Sequence, residues 1–152
     1  METVAQIPIP EIKLVYTSKL KPSERPKITS SKDAYDLLLS IWDTGVIDLQ
    51  EQFKVLLLNR ANRVLGFFSV STGAITHTVA DPRLIMMAAI NSGACSIMLA
   101  HNHPSGSLKP SRQDEELTNK IKQAASFLDI KVLDHIIVTT ESFYSFAEEG
   151  LL

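Results

Sequence analysis

The chain has 152 residues and a mass of 16.8 kDa, the size of a single domain. Hydrophobic residues make up 45% of it and charged residues 21%, so it can build a core and does not have the composition of a disordered protein. Fifteen lysines and arginines against seventeen aspartates and glutamates give a formal charge of −2. This balance excludes a strongly basic nucleic-acid binder, although it leaves room for a local basic patch.

The single cysteine excludes an internal disulfide bond and predicts a reducing, cytoplasmic compartment. The longest apolar run, 84–90, is far shorter than the roughly 18 residues of a membrane span, so we expect no membrane contact. The N-terminus has neither the basic nor the apolar region of a signal peptide. The sequence also lacks the common phosphate-binding glycine loops, the HExxH motif and the PCxxC motif of deaminases.

Prolines interrupt the first 29 residues, which predicts an N-terminal arm in which 12–16 is the only candidate strand. A domain is expected over 30–152. Ser30 and Asp33 have the spacing of a capping box, and the apolar residues after them predict a helix over about 31–43. Three strands are predicted next, the first two as a hairpin: 52–58, 64–70 and 75–79.

The second half of the chain alternates helices with strands. Asp81 and Pro82 predict the start of a buried helix that ends near 91–93, and the continuous apolar run 94–100 predicts a central strand covered on both faces. In that strand Cys95 is interpreted as a core residue rather than a nucleophile. The elements predicted after it are a loop over 101–110, an amphipathic helix over 111–128 and strands at 131–139 and 143–146. This order indicates an α/β fold with a mixed sheet that is antiparallel at its start.

The segment 101–114, HNHPSGSLKPSRQD, holds the most informative pattern. His101 and His103 leave a strand end on the same side, about 6.6 Å apart at Cα from a rise of about 3.3 Å per residue, so both imidazoles can bind one ion. Asp114 belongs to the first turn of the next helix and can supply an oxygen ligand across the loop. Two histidines and one carboxylate leave zinc an open fourth position, the arrangement of a catalytic site.

Each of these residues also has an ordinary structural explanation. Paired histidines in a loop are more often at the surface or hydrogen-bonded than bound to metal, and Ser111 and Asp114 form a second capping box. Pro104 and Gly106 are common turn residues. The conjunction favours a metal site: an apolar strand, H-x-H-P, ten residues between His103 and Asp114, and a serine three residues before that aspartate.

This pattern resembles the JAMM metal motif of JAB/MPN domains, in which a distant glutamate precedes H-x-H, ten residues and an aspartate. It is more closely similar to the RadC-type branch, whose HNHPSG, PS-x-x-D and DHIIV segments stand at 101–106, 110–114 and 134–138; the ending 144–152 is similar too. The resemblance covers about residues 30–152 and implies a three-layer α/β/α, cytidine-deaminase-like fold with a mixed sheet. It also implies a Zn²⁺ site with hydrolase chemistry, because JAMM domains of known activity are isopeptidases or peptidases.

By this resemblance, His101, His103 and Asp114 would bind the metal, Glu51 would be the distant glutamate, and Ser111 would help to stabilise an oxyanion. A carboxylate is also needed on chemical grounds, because the proton of a metal-activated water must reach the leaving amine. The alternative for Glu51 is a solvated charge in front of a strand. The carboxylates of the arm, Glu11 and Glu24, are poorer candidates.

Three further residues flank the motif. Asn102 should point away from the two histidines and fix the loop backbone. Asp134 and His135 could together orient a metal-bound imidazole, since such rings usually donate their other N–H to a carboxylate or carbonyl. We favour an ordinary structural hydrogen bond for this pair.

Our leading hypothesis is a zinc-dependent hydrolase that acts on an amide or isopeptide bond of a protein or peptide substrate. A metal-dependent nuclease or DNA-processing factor is the second hypothesis, because RadC-type proteins are traditionally named for DNA repair, although the charge balance gives nucleic-acid binding no support. The third is a non-catalytic interaction module that keeps the metal site. The apolar arm and the hairpin could also pair between subunits, which would make the protein a homo-oligomer.

Overall fold

The computed structural model describes residues 8–73 and 80–152. This part of the chain contains three α-helices, α1 (Ser31–Ile41), α2 (Pro82–Ser92) and α3 (Arg112–Ser126), and five strands, β1 (Gln52–Leu58), β2 (Val64–Thr72), β3 (Ser96–Asn102), β4 (Lys131–Val138) and β5 (Phe143–Ser145). The described residues of the arm contain one 3-10 turn, Pro22–Glu24, and the candidate strand 12–16 is wrong because those residues have no regular structure. The strand expected at 75–79 lies outside the described residues.

The five strands form one mixed sheet in the order β2-β1-β3-β4-β5. β1 is antiparallel to β2 and to β3, β3 is parallel to β4, and β5 is antiparallel to β4. The predicted antiparallel start and mixed sheet are therefore confirmed. β3 lies at the centre, and all seven of its residues are buried.

Helices cover both faces of the sheet, which confirms the three-layer α/β/α arrangement. Side chains alternate between the two faces of a strand, so Val55 and Leu57 of β1 belong to the core beneath α2 and α3. Leu56 and Leu58 belong to the second core, beneath α1. None of the helices in the described part of the chain is long and apolar enough to cross a membrane.

The local signals that predict the helices are present at their ends. Ser30 caps α1 and Ser111 caps α3, each in a complete capping box with the residue three positions later. The Asp81 side chain accepts a hydrogen bond from the Arg83 N–H at the start of α2, and Gly93 ends that helix at φ 68°, a backbone conformation that glycine adopts readily. The predicted helix boundaries are confirmed to within about two residues.

The central strand lies two residues later than its apolar pattern predicts. β3 begins at Ser96 and runs through His101, which pairs with β1 and β4, and Asn102, which pairs with β4. The interior supplies partners for the polar groups of both residues. Cys95 precedes the strand, and its backbone bonds to Leu58 and Lys131 while the residue is exposed. The interpretation of Cys95 as a core residue is therefore wrong.

Candidate metal centre

The carboxyl end of β3 and the first turn of α3 bring the three predicted ligands together. The Nε2 atoms of His101 and His103 are 2.9 Å apart. Oδ1 of Asp114 lies 3.4 Å from Nε2 of His101, and its Oδ2 lies 3.7 Å from Nε2 of His103. One ligand atom from each residue thus falls within a cluster less than 4.8 Å across.

The capping box of α3 aims Asp114 at the histidines. The Ser111 N–H donates to Asp114 Oδ2 at 2.7 Å, and Ser111 Oγ accepts from the Asp114 N–H at 3.1 Å. The structural explanation of these two residues is therefore confirmed, and it is compatible with metal binding because the same hydrogen bonds hold the carboxylate in place. Since Ser111 Oγ acts as an acceptor in the cap, its hydroxyl proton can be donated elsewhere.

The tautomer of His103 follows from its hydrogen bonds. Nδ1 lies 2.8 Å from the Ser107 carbonyl oxygen, which can only accept, so Nδ1 carries the proton. In the neutral ring the Nε2 lone pair therefore faces His101 and Asp114. Nitrogen and oxygen lone pairs this close together are stabilised by a cation or a proton between them.

The spacing and chemistry of these atoms fit zinc. The three separations, 2.9, 3.4 and 3.7 Å, lie around the roughly 3.3 Å expected between two ligands of a tetrahedral ion at about 2.0–2.1 Å. Two imidazoles and a carboxylate are a common ligand set of catalytic zinc sites.

The electrostatics of the cluster also favour a positive charge. Burial by itself would lower the pKa of His103, but the nearby Asp114 carboxylate, the hydrogen bond to the Ser107 carbonyl and the charge of Glu51 outweigh it and raise that pKa. Burial by itself would raise the pKa of Asp114, but its contacts with His101 and His103 and the hydrogen bond from the Ser111 N–H hold that pKa well below its ordinary value. Asp114 is therefore ionised at neutral pH.

Glu51 lies directly before β1, at the edge of this cluster. β1 pairs with β3 so that Phe53 is opposite His101, and the half-buried Glu51 is close enough for its charge to raise the pKa of His103. Its backbone carbonyl accepts a hydrogen bond from the Gly73 N–H at 2.8 Å. Glu51 is thus near enough to act on His103 through its charge, but it is not among the converging ligand atoms, and its catalytic role stays a prediction.

Asn102 points away from the cluster, as predicted, and fixes the segment that carries Glu51 rather than its own loop. The side chain is fully buried, and Oδ1 accepts from the Gln52 N–H at 2.7 Å. Nδ2 donates to the carbonyls of Ile47 and Gln50 at 2.7 and 2.9 Å. The residue between the two histidines therefore anchors the backbone on both sides of Glu51.

His135 contacts the candidate ligand His101, although our prediction favoured a purely structural role. Its Nε2 is 2.7 Å from Nδ1 of His101, and its Nδ1 is 2.6 Å from Oγ1 of Thr118. Full burial lowers the pKa of His135 well below its ordinary value, so the ring is neutral. Asp134 does not act on this ring: its carboxylate accepts from the backbone N–H of His135 instead.

Thr118, which contacts His135 next to the site, is a residue that the sequence did not reveal. A threonine inside an amphipathic helix has no distinctive pattern, and its only signal is the four-residue spacing from Asp114, which places both on one face of α3.

The three-layer fold, with H-x-H at the end of the central strand and an aspartate in the next helix, defines a JAB-type domain. The protein-family model of the RadC-like JAB domain matches residues 28–151, and the chain belongs to this family. The JAB family is related to metal-dependent hydrolases.

Two curated relatives are longer than the part of them that this chain matches. The UPF0758 protein of Flavobacterium johnsoniae is 45% identical over 125 residues, which are 82% of this chain and 53% of that protein. The UPF0758 protein of Porphyromonas gingivalis is 42% identical over 130 residues, 84% of this chain and 56% of that protein. The chain therefore spans about half the length of these relatives.

Proposed function

We propose that this chain is a zinc-dependent hydrolase that cleaves an amide or isopeptide bond in a protein or peptide. The observation that supports this most strongly is the convergence of His101, His103 and Asp114 beside a half-buried glutamate. Two imidazoles and one carboxylate leave an open coordination position, as in catalytic rather than structural zinc sites. Membership of a family related to metal-dependent hydrolases supports the same class of reaction.

Each residue has a defined task in this proposal. His101, His103 and Asp114 hold the ion, and bound zinc supplies Lewis-acid polarisation and a water whose pKa is about 7. Glu51 takes the proton released during attack and gives it to the departing nitrogen, as a general base and then a general acid. Ser111 donates a hydrogen bond from its hydroxyl group to the oxygen that becomes negatively charged in the tetrahedral transition state.

The experiment separates metal binding from turnover. Wild type, His103→Ala and Glu51→Gln are purified without chelator, and the metal content of each is measured by plasma mass spectrometry. We expect about one zinc per chain in wild type and in Glu51→Gln, and a large loss of zinc in His103→Ala, because His103 is a proposed ligand and Glu51 is not. The same proteins are then screened for hydrolysis of peptide and isopeptide substrates.

In that screen, Glu51→Gln should lose turnover by a factor of about 10² or more while keeping its zinc, since general acid–base catalysis typically contributes 10²–10⁴-fold. Glu11→Gln, an exposed carboxylate of the arm, is the matched control and should behave as wild type. Zinc in wild type without turnover of any peptide or isopeptide bond would contradict the proposal and favour an interaction module. Absence of zinc from wild type, even after zinc is offered, would contradict the metal site itself.

A further inference from the structure

A chain of short hydrogen bonds runs from the backbone of α3 to the candidate metal ligand His101. Its first member is the Thr118 hydroxyl, whose Oγ1 lies 2.6 Å from the carbonyl oxygen of Asp114. A carbonyl oxygen can only accept, so the single hydroxyl proton of Thr118 must lie between these two atoms. Oγ1 is then left with lone pairs alone for any other partner.

The second member is His135, whose Nδ1 is 2.6 Å from that same Oγ1. Because the Thr118 hydroxyl group already donates its hydrogen bond to the Asp114 carbonyl oxygen, Nδ1 of His135 must carry a proton and donate a hydrogen bond to Oγ1. His135 is completely buried, with its ring stacked on Phe146 at 4.6 Å and edge-on to Phe53 at 5.5 Å. A ring enclosed in this way is neutral and carries only one proton, so Nε2 has a bare lone pair.

The third member is His101. Its Nδ1 is 2.7 Å from the bare Nε2 of His135, so Nδ1 of His101 must be the donor. The neutral imidazole then has a lone pair on Nε2, and this is the atom that faces His103 and Asp114. The three hydrogen bonds from Thr118 to His101 are satisfied together by this one arrangement of protons.

We propose that Thr118 and His135 are positioning residues that fix the tautomer and orientation of His101, so that its Nε2 is ready to bind the metal ion. The inference rests on the zinc-binding part of the proposed function and is independent of hydrolysis. It follows that a hydroxyl group in the middle of α3, which touches no ligand atom of the site, controls the affinity of the site. Without the Thr118 hydroxyl group, His135 can carry its proton on Nε2 and donate it to Nδ1 of His101. The proton of His101 then lies on Nε2, the nitrogen that would bind the metal ion.

The test uses the Thr118→Val variant, which removes the hydroxyl but keeps a branched side chain, and the Thr118→Ser variant, which keeps the hydroxyl. The matched control is Thr139→Val, because Thr139 is also buried and its hydroxyl also donates to a carbonyl, that of Ser142. Zinc affinity is measured by competition with a chromophoric chelator. We expect at least a tenfold loss in Thr118→Val, in line with the roughly 10–100-fold effect of outer hydrogen-bond partners. Thr118→Ser and Thr139→Val should stay within about twofold of wild type, whatever they lose in thermal stability.

A second readout needs neither metal nor activity. Long-range ¹⁵N–¹H spectra of the zinc-free proteins, recorded at alkaline pH where imidazoles are neutral, report which ring nitrogen of His101 is protonated. We expect protonated Nδ1 in wild type and Thr118→Ser, and a mixture of tautomers in Thr118→Val. Unchanged zinc affinity and an unchanged His101 tautomer in Thr118→Val would overturn the inference. If wild type bound no zinc, the proposed function would fail, while the ¹⁵N spectra would still decide whether Thr118 sets the tautomer.

Discussion

Lys54 is a buried cation in the middle of β1, on the face that packs against α1. Its Nζ donates to Ser69 Oγ at 3.0 Å and lies 5.1 Å from the ring centroid of Trp42 and 5.7 Å from that of Phe67. Burial lowers the pKa of Lys54, and the charge of Asp43 opposes this only in part. The aromatic rings and the serine therefore do not fully replace the water that the ammonium group loses on folding.

This lowered pKa predicts a pH-dependent stability. Because the folded-state pKa is below the unfolded one, the unfolded chain binds more protons between the two values, and stability rises with pH through that window. At pH 7 both states are charged and the cost of burial is fully present. We expect the stability of Lys54→Met relative to wild type to be highest near pH 7 and to fall towards pH 10, as measured by urea unfolding at several pH values.

The control for this series is Lys122→Met, at an exposed position on α3. It removes the same charge without a buried ammonium group, so its stability relative to wild type should change much less over the same range. A pH-independent difference between Lys54→Met and wild type would contradict the interpretation that burial disfavours the charged form.

At the scale of elements, one asparagine connects the strand that carries the histidines with the segment that carries Glu51. The Asn102 side chain makes three hydrogen bonds to the backbone of 47–52. A backbone segment without regular structure has few other partners for these groups, so the asparagine replaces the hydrogen bonds that a strand or helix would supply.

Asn102→Ala should therefore destabilise the fold and loosen the segment before β1. Removing the amide leaves one buried carbonyl, one partly buried carbonyl and one partly buried N–H without their partner. Each fully buried group of this kind costs about 1–3 kcal/mol, so we expect a loss of about 3 kcal/mol by chemical denaturation. Asn119→Ala, an exposed asparagine of α3, should change stability by less than about 0.5 kcal/mol. Equal effects of the two substitutions would show that Asn102 does not hold the segment.

Local chemistry explains which elements the sequence predicts well. Capping residues such as Ser30, Asp81 and Ser111 act within one helical turn, and the apolar patterns of β1 and β4 follow from burial, so their bounds can be read from neighbouring residues. The bounds of β3 could not be predicted in this way, because His101 and Asn102 become strand residues only through partners on other elements. The Thr118–His135 contact was not predicted for the same reason, because it joins residues on two elements, 17 positions apart.

At the scale of the whole molecule, the Asp134 carboxylate joins the beginning of the domain to its end. Oδ2 accepts from the hydroxyls of Ser31 at 3.0 Å and Ser145 at 2.6 Å, which belong to α1 and β5. Oδ1 accepts from the backbone N–H groups of His135 and Ala147 at 2.7 and 3.0 Å. One buried side chain thus holds α1 and the C-terminal segment around β5 against β4.

Asp134→Ala should be among the most destabilising single substitutions in the domain. Four donors lose a charged acceptor, and hydrogen bonds to charged groups contribute about 1.5–3 kcal/mol each, so we expect a loss above about 3 kcal/mol in denaturant unfolding of the zinc-free protein. Asp134→Asn should cost less, because the amide oxygen can keep the two backbone donors while the serine hydroxyls rotate to accept.

Asp36→Asn, at an exposed ion pair with Lys32 on α1, is the control and should cost less than about 1 kcal/mol. Zinc binding by Asp134→Asn should equal that of wild type, because the carboxylate does not touch the imidazole of His135. Weakened zinc binding in a stably folded Asp134→Asn protein would show that the carboxylate acts on the metal centre after all.

The central position of β3 determines how a bound ion would leave the candidate metal site. A fully buried strand with a hydrogen-bonded neighbour on each side opens only when the whole domain unfolds, so its amide hydrogens should be among the slowest to exchange with solvent. His101 belongs to that strand, whereas Asp114 stands in the first turn of α3, where helix ends fray. Loss of a bound ion from the native protein should therefore begin at the aspartate, while His101 keeps its place for as long as the fold persists.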